Sequence, residues 1–66
     1  MSQNDLTSRE REVLASYAET HSVKETARAL GISRYTVESH LTAARRKLDA
    51  FDSWDACRKA GVIRAA

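Results

Sequence analysis

The segment Ala27-Arg28-Ala29-Leu30-Gly31-Ile32-Ser33-Arg34-Tyr35-Thr36-Val37 restricts the possible folds of this chain more than any other. It spells a helix that stops on a glycine and a second helix that starts on a serine after a three-residue turn. Small Ala27 lets the second helix cross closely, and Gly31 can adopt the positive φ that a helix stop needs. Ser33 has the hydroxyl of an N-cap. Ile32 just before it and Val37 at the fourth helical position are placed as a hydrophobic staple, which fixes the angle at which the second helix leaves the turn. Two helices joined in this way form a helix-turn-helix.

The flanking sequence supplies more helices. Thr7-Ser8-Arg9-Glu10 has the form of a capping box, and Val13, Leu14, Tyr17 and Ala18 after it form one apolar stripe that ends near Thr20 and His21. Ser22-Val23-Lys24-Glu25 reads as a second capping box, with Val23, Ala27 and Leu30 as the inner face of its helix. Past the turn, Val37, Leu41, Ala44 and Leu48 keep a helical spacing for about 15 residues, or roughly 22 Å. Asp49-Ala50-Phe51 breaks that pattern. Asp52 or Ser53 can cap a short fourth helix carrying Trp54, Ala56, Cys57 and Ala60, which Gly61 stops. Proline is absent from the 66 residues, glycine occurs only twice, and good helix formers fill most positions, so the expected fold class is all-α with four helices. One domain spans residues 1–66, with a polar lead-in over 1–6, the helix-turn-helix over about 22–48 and the last helix over about 53–61.

Several chemistries are excluded. A single cysteine, Cys57, forms no internal disulfide, and His21 and His40 lack the spacings that hold zinc, so neither metal nor cofactor is expected. No apolar run approaches the roughly 18 residues of a membrane span, and Met1-Ser2-Gln3-Asn4-Asp5 has no signal-peptide character. The expected location is the reducing cytoplasm. Without a nucleophile and base pair, clustered carboxylates or a glycine-rich phosphate loop, the chain is not expected to be an enzyme.

The charge distribution points to a polyanion. Net charge is only +2 and the isoelectric point is near 9.0. From Arg34 to Leu48, however, four cations (Arg34, Arg45, Arg46, Lys47) stand against one anion, Glu38. With Val37, Leu41, Ala44 and Leu48 turned inward, the side chains of Arg34, Glu38, Ser39, Thr42, Arg45 and Arg46 turn outward. Double-stranded DNA is the expected partner, with the helix from Arg34 to Leu48 in the major groove.

The chain also resembles the DNA-binding domain of LuxR-type (GerE-like) regulators. The likeness runs through Leu6-Thr7-Ser8-Arg9-Glu10-Arg11-Glu12-Val13-Leu14, Lys24-Glu25-Thr26-Ala27, Leu30-Gly31-Ile32-Ser33, Thr36-Val37, His40, Lys47-Leu48 and Gly61-Val62-Ile63. Sigma-factor region four shares the Arg-Glu-Val-Leu start and the Ala43-Ala44-Arg45-Arg46-Lys47-Leu48 finish, but it needs no helix leading to Gly61-Val62-Ile63. Two features depart from the LuxR-type pattern. Glu38 stands where a cation is usual, and Asp49 stands where a glycine usually follows Lys-Leu, with Phe51 and Trp54 at usually polar positions. The receiver or ligand-binding domain that usually precedes such a domain is not in this sequence, and a freestanding module is expected.

The resemblance implies a transcription regulator that binds as a homodimer through its fourth helix, with Trp54, Cys57, Arg58 and Gly61 at the two-fold interface. It implies base reading by Glu38, Ser39 and Thr42. A carboxylate there can accept from a cytosine amine, and the Thr42 methyl can meet a thymine methyl; alternatively, Glu38 is solvated and pairs with Arg34. Lys24, Arg34, Tyr35, Thr36, His40, Arg45, Arg46 and Lys47 are the candidates for phosphate contacts, as helix N-termini and groove-edge cations meet the DNA backbone. His40 could instead be half-buried in the core, Cys57 could be a small apolar filler, and Trp54 could cap the core beside Phe51 and Tyr17 rather than anchor a dimer. A second class of function also fits: a module that binds RNA polymerase or another regulator and uses DNA weakly or not at all.

Overall fold

A computed structural model of the chain describes residues 6–63. Four helices follow one another: α1 (Ser8–Thr20), α2 (Val23–Leu30), α3 (Arg34–Leu48) and α4 (Ser53–Ala60). Each start is set by a side chain. The Thr7 hydroxyl accepts from the Glu10 amide and the Glu10 carboxylate accepts from the Thr7 amide, both at 3.0 Å, which completes the expected capping box. Ser33 accepts from the Thr36 amide at 3.0 Å and Asp52 from the Asp55 amide at 2.8 Å, capping α3 and α4. The second box is only half formed. Ser22 accepts from the Glu25 amide at 3.1 Å, but its own amide donates to the Thr20 hydroxyl at 3.2 Å, which takes the place of Glu25.

All four helices stop on a residue with positive φ: His21 (56°), Gly31 (68°), Asp49 (53°) and Gly61 (75°). After α2, the Ile32 amide reaches back to the Ala27 carbonyl at 3.0 Å; after α3, the Ala50 amide reaches the Arg45 carbonyl at 2.8 Å. These six-residue closures satisfy carbonyls that a helix end otherwise leaves open. Gly31 takes the left-handed conformation without steric cost, whereas Asp49 takes it with a Cβ that crowds its backbone.

The core is one cluster. Val13 and Leu14 from α1, Ala27 from α2, Val37, Leu41, Ala44 and Leu48 from α3, and Ala56 and Cys57 from α4 are all buried. The inward stripe expected for α3 is therefore the observed one. Leu6 joins the cluster, so the end of the lead-in belongs to the packed structure; Met1 to Asp5 lie outside the described residues. Thr26 is buried as well, its hydroxyl paired with that of Thr20 at 3.1 Å, so this polar group inside the core is satisfied. α1 and α3 each touch all three other helices, while α2 and α4 do not touch each other.

Candidate nucleic-acid interface

α3 presents one continuous outer strip. Tyr35, Glu38, Ser39, Thr42, Ala43 and Arg46 line a single shallow open groove along the helix. These positions recur at three and four residues, the spacing at which side chains on a helix stack above one another. The three expected base readers, Glu38, Ser39 and Thr42, therefore sit together in the middle of one surface. Tyr35, at 79% exposure, opens its N-terminal end. Val23, the first residue of α2, borders Glu38 and Thr42. The N-terminus of α2, with exposed Lys24, thus forms one lip of the strip.

Along the run Arg45-Arg46-Lys47 successive side chains point about 100° apart, and Arg45 and Arg46 meet in one cleft with Thr42, Asp49, Ala50 and Phe51. Arg45 is half-buried toward Val23 and Ser53, and its Nε, shut off from solvent, has no hydrogen-bond partner among the described residues. Arg46 is exposed on the strip itself. Lys47 turns to α1, where its Nζ donates to Glu10 Oε1 at 2.8 Å. Lys47, expected at a phosphate, thus pairs with α1 while 34% of its side chain remains exposed. Burial alone would raise the Glu10 pKa, but hydrogen bonds from Lys47 and the Thr7 amide and the charges of Lys47 and His40 outweigh it, and the carboxyl lies below its ordinary value.

The other expected phosphate contacts fall on the flanks of the strip. Arg34 is exposed in the first turn of α3, and Thr36 shares its hydroxyl with the Ser33 hydroxyl at 3.0 Å. His40 is half-buried, on the side of α3 near Glu10. Arg28 was missed by sequence reasoning. It is exposed one turn after Lys24, on the same outer face of α2, and that four-residue spacing was the available signal. Among the described residues, Lys24, Arg28, Arg34 and Arg46 enter no ion pair.

On α4 the filler reading of Cys57 fits and its place at a dimer interface does not. Cys57 is fully buried and its thiol donates to the Leu14 carbonyl at 3.4 Å, so it faces α1 and not a partner. Burial, reinforced by the Asp52 charge, pushes the thiol pKa up to about 11. Trp54 is 38% exposed and packs its ring against His21, with centroids 4.8 Å apart. Phe51 does not pack beside it in the core: it is 81% exposed. The open side of Trp54 lines a mixed cleft with Ala18, Glu19, Val62 and Ile63. Arg58 and Gly61 are exposed, with Arg58 paired to Asp55.

Among the described residues there is no cluster of histidine, cysteine and carboxylates able to hold a metal, and no helix is long and apolar enough to cross a membrane. The sequence profile described as bacterial regulatory proteins, luxR family, matches residues 4–60. Comparison with curated proteins and with solved structures gives no match.

Proposed function

The chain belongs to the luxR family of bacterial regulatory proteins, and on that basis we propose that it is a transcription regulator that binds specific sites in double-stranded DNA with α3 in the major groove. The observation that carries this reading is the outer strip of α3, where Glu38, Ser39 and Thr42 stand together, with the start of α2 at Val23 bordering Glu38 and Thr42. A major groove about 12 Å wide accepts one helix, and base edges are read from the helix face turned into it. Lys24, Arg28 and Arg34, exposed around that face, suit the flanking phosphates. Acting on DNA would place the protein in the cytoplasm.

The protein acts as a symmetric dimer. One α3 reads only a short half-site, and joining two copies turns the second contact into an intramolecular event. The open face of α4, with Trp54, Arg58 and Gly61, and the adjoining Val62 and Ile63 form the contact surface. Apolar side chains around a tryptophan suit the anchor of such an interface.

The test is binding to random-sequence duplex across a range of salt concentrations, followed by sedimentation on a duplex selected from a random library. A protein touching about six phosphates gives log K falling with log salt at a slope near −5. A flat response would identify a protein-directed module, with RNA polymerase as a candidate target, and a strict monomer on a palindromic site would overturn the dimer.

A further inference from the structure

We infer that Arg46 reads a guanine base in the major groove, extending the reading face one turn beyond Glu38, Ser39 and Thr42. The inference rests on the DNA-binding reading above. Its observation is the separation of three consecutive cations. Arg45 is half-buried with its Nε shut off from solvent, in a cleft with Val23, Glu38, Thr42 and Ser53, and Lys47 is bound to Glu10, while Arg46 is exposed and shares one open groove with Tyr35, Glu38, Ser39, Thr42 and Ala43. A side chain on that strip faces the same base edges as Glu38 does. Its neighbour Ala43 projects only a methyl, which leaves room for the guanidinium to extend across the strip. Arg46 is exposed and makes no ion pair among the described residues, so no internal contact has to be broken to free it.

The planar fork of an arginine matches the O6 and N7 acceptors of guanine, and this pair is the commonest base-specific contact in protein–DNA complexes. Glu38 complements the amine of cytosine. Eight residues separate the two side chains, about 12 Å of helix rise. Because the major groove winds around the DNA axis, that distance along the groove spans about two to three base pairs, so the guanine is a different pair from the one read by Glu38.

The test uses the full chain and a duplex selected from a random library. Affinities of the wild type, Glu38→Ala, Arg46→Ala and Arg46→Lys are measured on every single-pair variant of that duplex, and on random duplex as a function of salt. Arg46→Ala is expected to weaken the selected duplex about 5- to 150-fold, the range of one bidentate base contact. It should erase a guanine preference at one pair, distinct from the pair relaxed by Glu38→Ala, and cost much less on random duplex. Replacing that guanine with 7-deazaguanine should weaken the wild type and leave Arg46→Ala unchanged. Arg46→Lys, a point charge without the fork, should regain random-duplex affinity but only part of the preference. Equal losses on selected and random duplex, with the salt slope reduced by about one, would make Arg46 a phosphate contact and overturn the inference alone. Relaxation at the pair read by Glu38, or full rescue by lysine, also overturns it. A wild type that binds no duplex overturns the DNA-binding reading and this inference with it.

Discussion

Lys47 Nζ donates to Glu10 Oε1 across 2.8 Å and so joins the last turn of α3 to the first turn of α1. The same oxygen accepts the Thr7 amide at 3.0 Å, so one carboxylate both completes a helix cap and braces two helices. Its side chain is 8% exposed while that of Lys47 is 34% exposed, which places the pair at the boundary between core and solvent.

Glu10→Gln keeps the oxygen that caps α1 and removes the charge. It is expected to cost about 1–2 kcal/mol at pH 7, the size of a hydrogen bond to a charged group discounted for partial solvent screening. Because the Glu10 pKa is lowered from 4.5 in the fold, its contribution is present above that value and is lost as pH falls through the lower folded value. Asp55, whose pKa is also lowered, chiefly by the Phe51 amide, gives the same direction in both proteins. Thermal melts at pH 7 and at pH 3 should show the gap between wild type and variant closing in acid.

Asp49→Gly should stabilise the domain. The backbone there has φ of 53°, and a glycine removes the Cβ that makes this conformation costly. A gain of about 1 kcal/mol is expected, less whatever flexibility glycine adds to the unfolded chain. In a domain of this size that corresponds to a Tm rise of about 4–8 °C, read by calorimetry.

Cys57 should be inert in the native protein. With a pKa near 11 and a fully buried thiol, it presents almost no thiolate to a reagent at pH 8. Iodoacetamide should label it only as fast as the domain opens, and at once in denaturant. Rapid labelling of the folded protein would show α4 detaching from Leu14.

Lys24→Ala and Glu38→Ala should separate on DNA. Loss of Lys24 is expected to weaken all duplexes about equally and to lower the salt slope by about one. Loss of Glu38 should change which base is preferred at one pair, by about 1–3 kcal/mol. Identical behaviour of the two variants on a panel of duplexes would refute the division between backbone and base contacts.

Local patterns carried most of the fold. The Thr7–Glu10 box, the Ser33 cap and the stripe Val37, Leu41, Ala44, Leu48 are relations over three to eleven residues, and each has the expected form. What escaped the sequence depends on where other helices lie. Trp54 and Cys57 are three apart and share a broad face of α4, and only the position of Leu14 on α1 decides that Cys57 turns inward and Trp54 remains partly outside. The cation run gave no sign that its third member answers to a carboxylate 37 residues away. Leu6, a single apolar residue after a polar stretch, had no periodicity to mark it as core. Most of the α3 strip was legible from its core stripe alone, but Arg45, expected outward, is half-buried against α2 and α4 neighbours that the stripe does not reveal.

α2 and α4 are two wings on one spine, since they meet α1 and α3 but never each other. A tilt of either wing can reach the other only by displacing the spine. The spine resists, because Val13, Leu14, Val37 and Ala44 leave no accessible surface between its helices. A close-packed interior responds to such a displacement by straining as a body. The angle between the wings is therefore a built-in gauge, and substitutions at those four positions would recalibrate it without touching either outer surface.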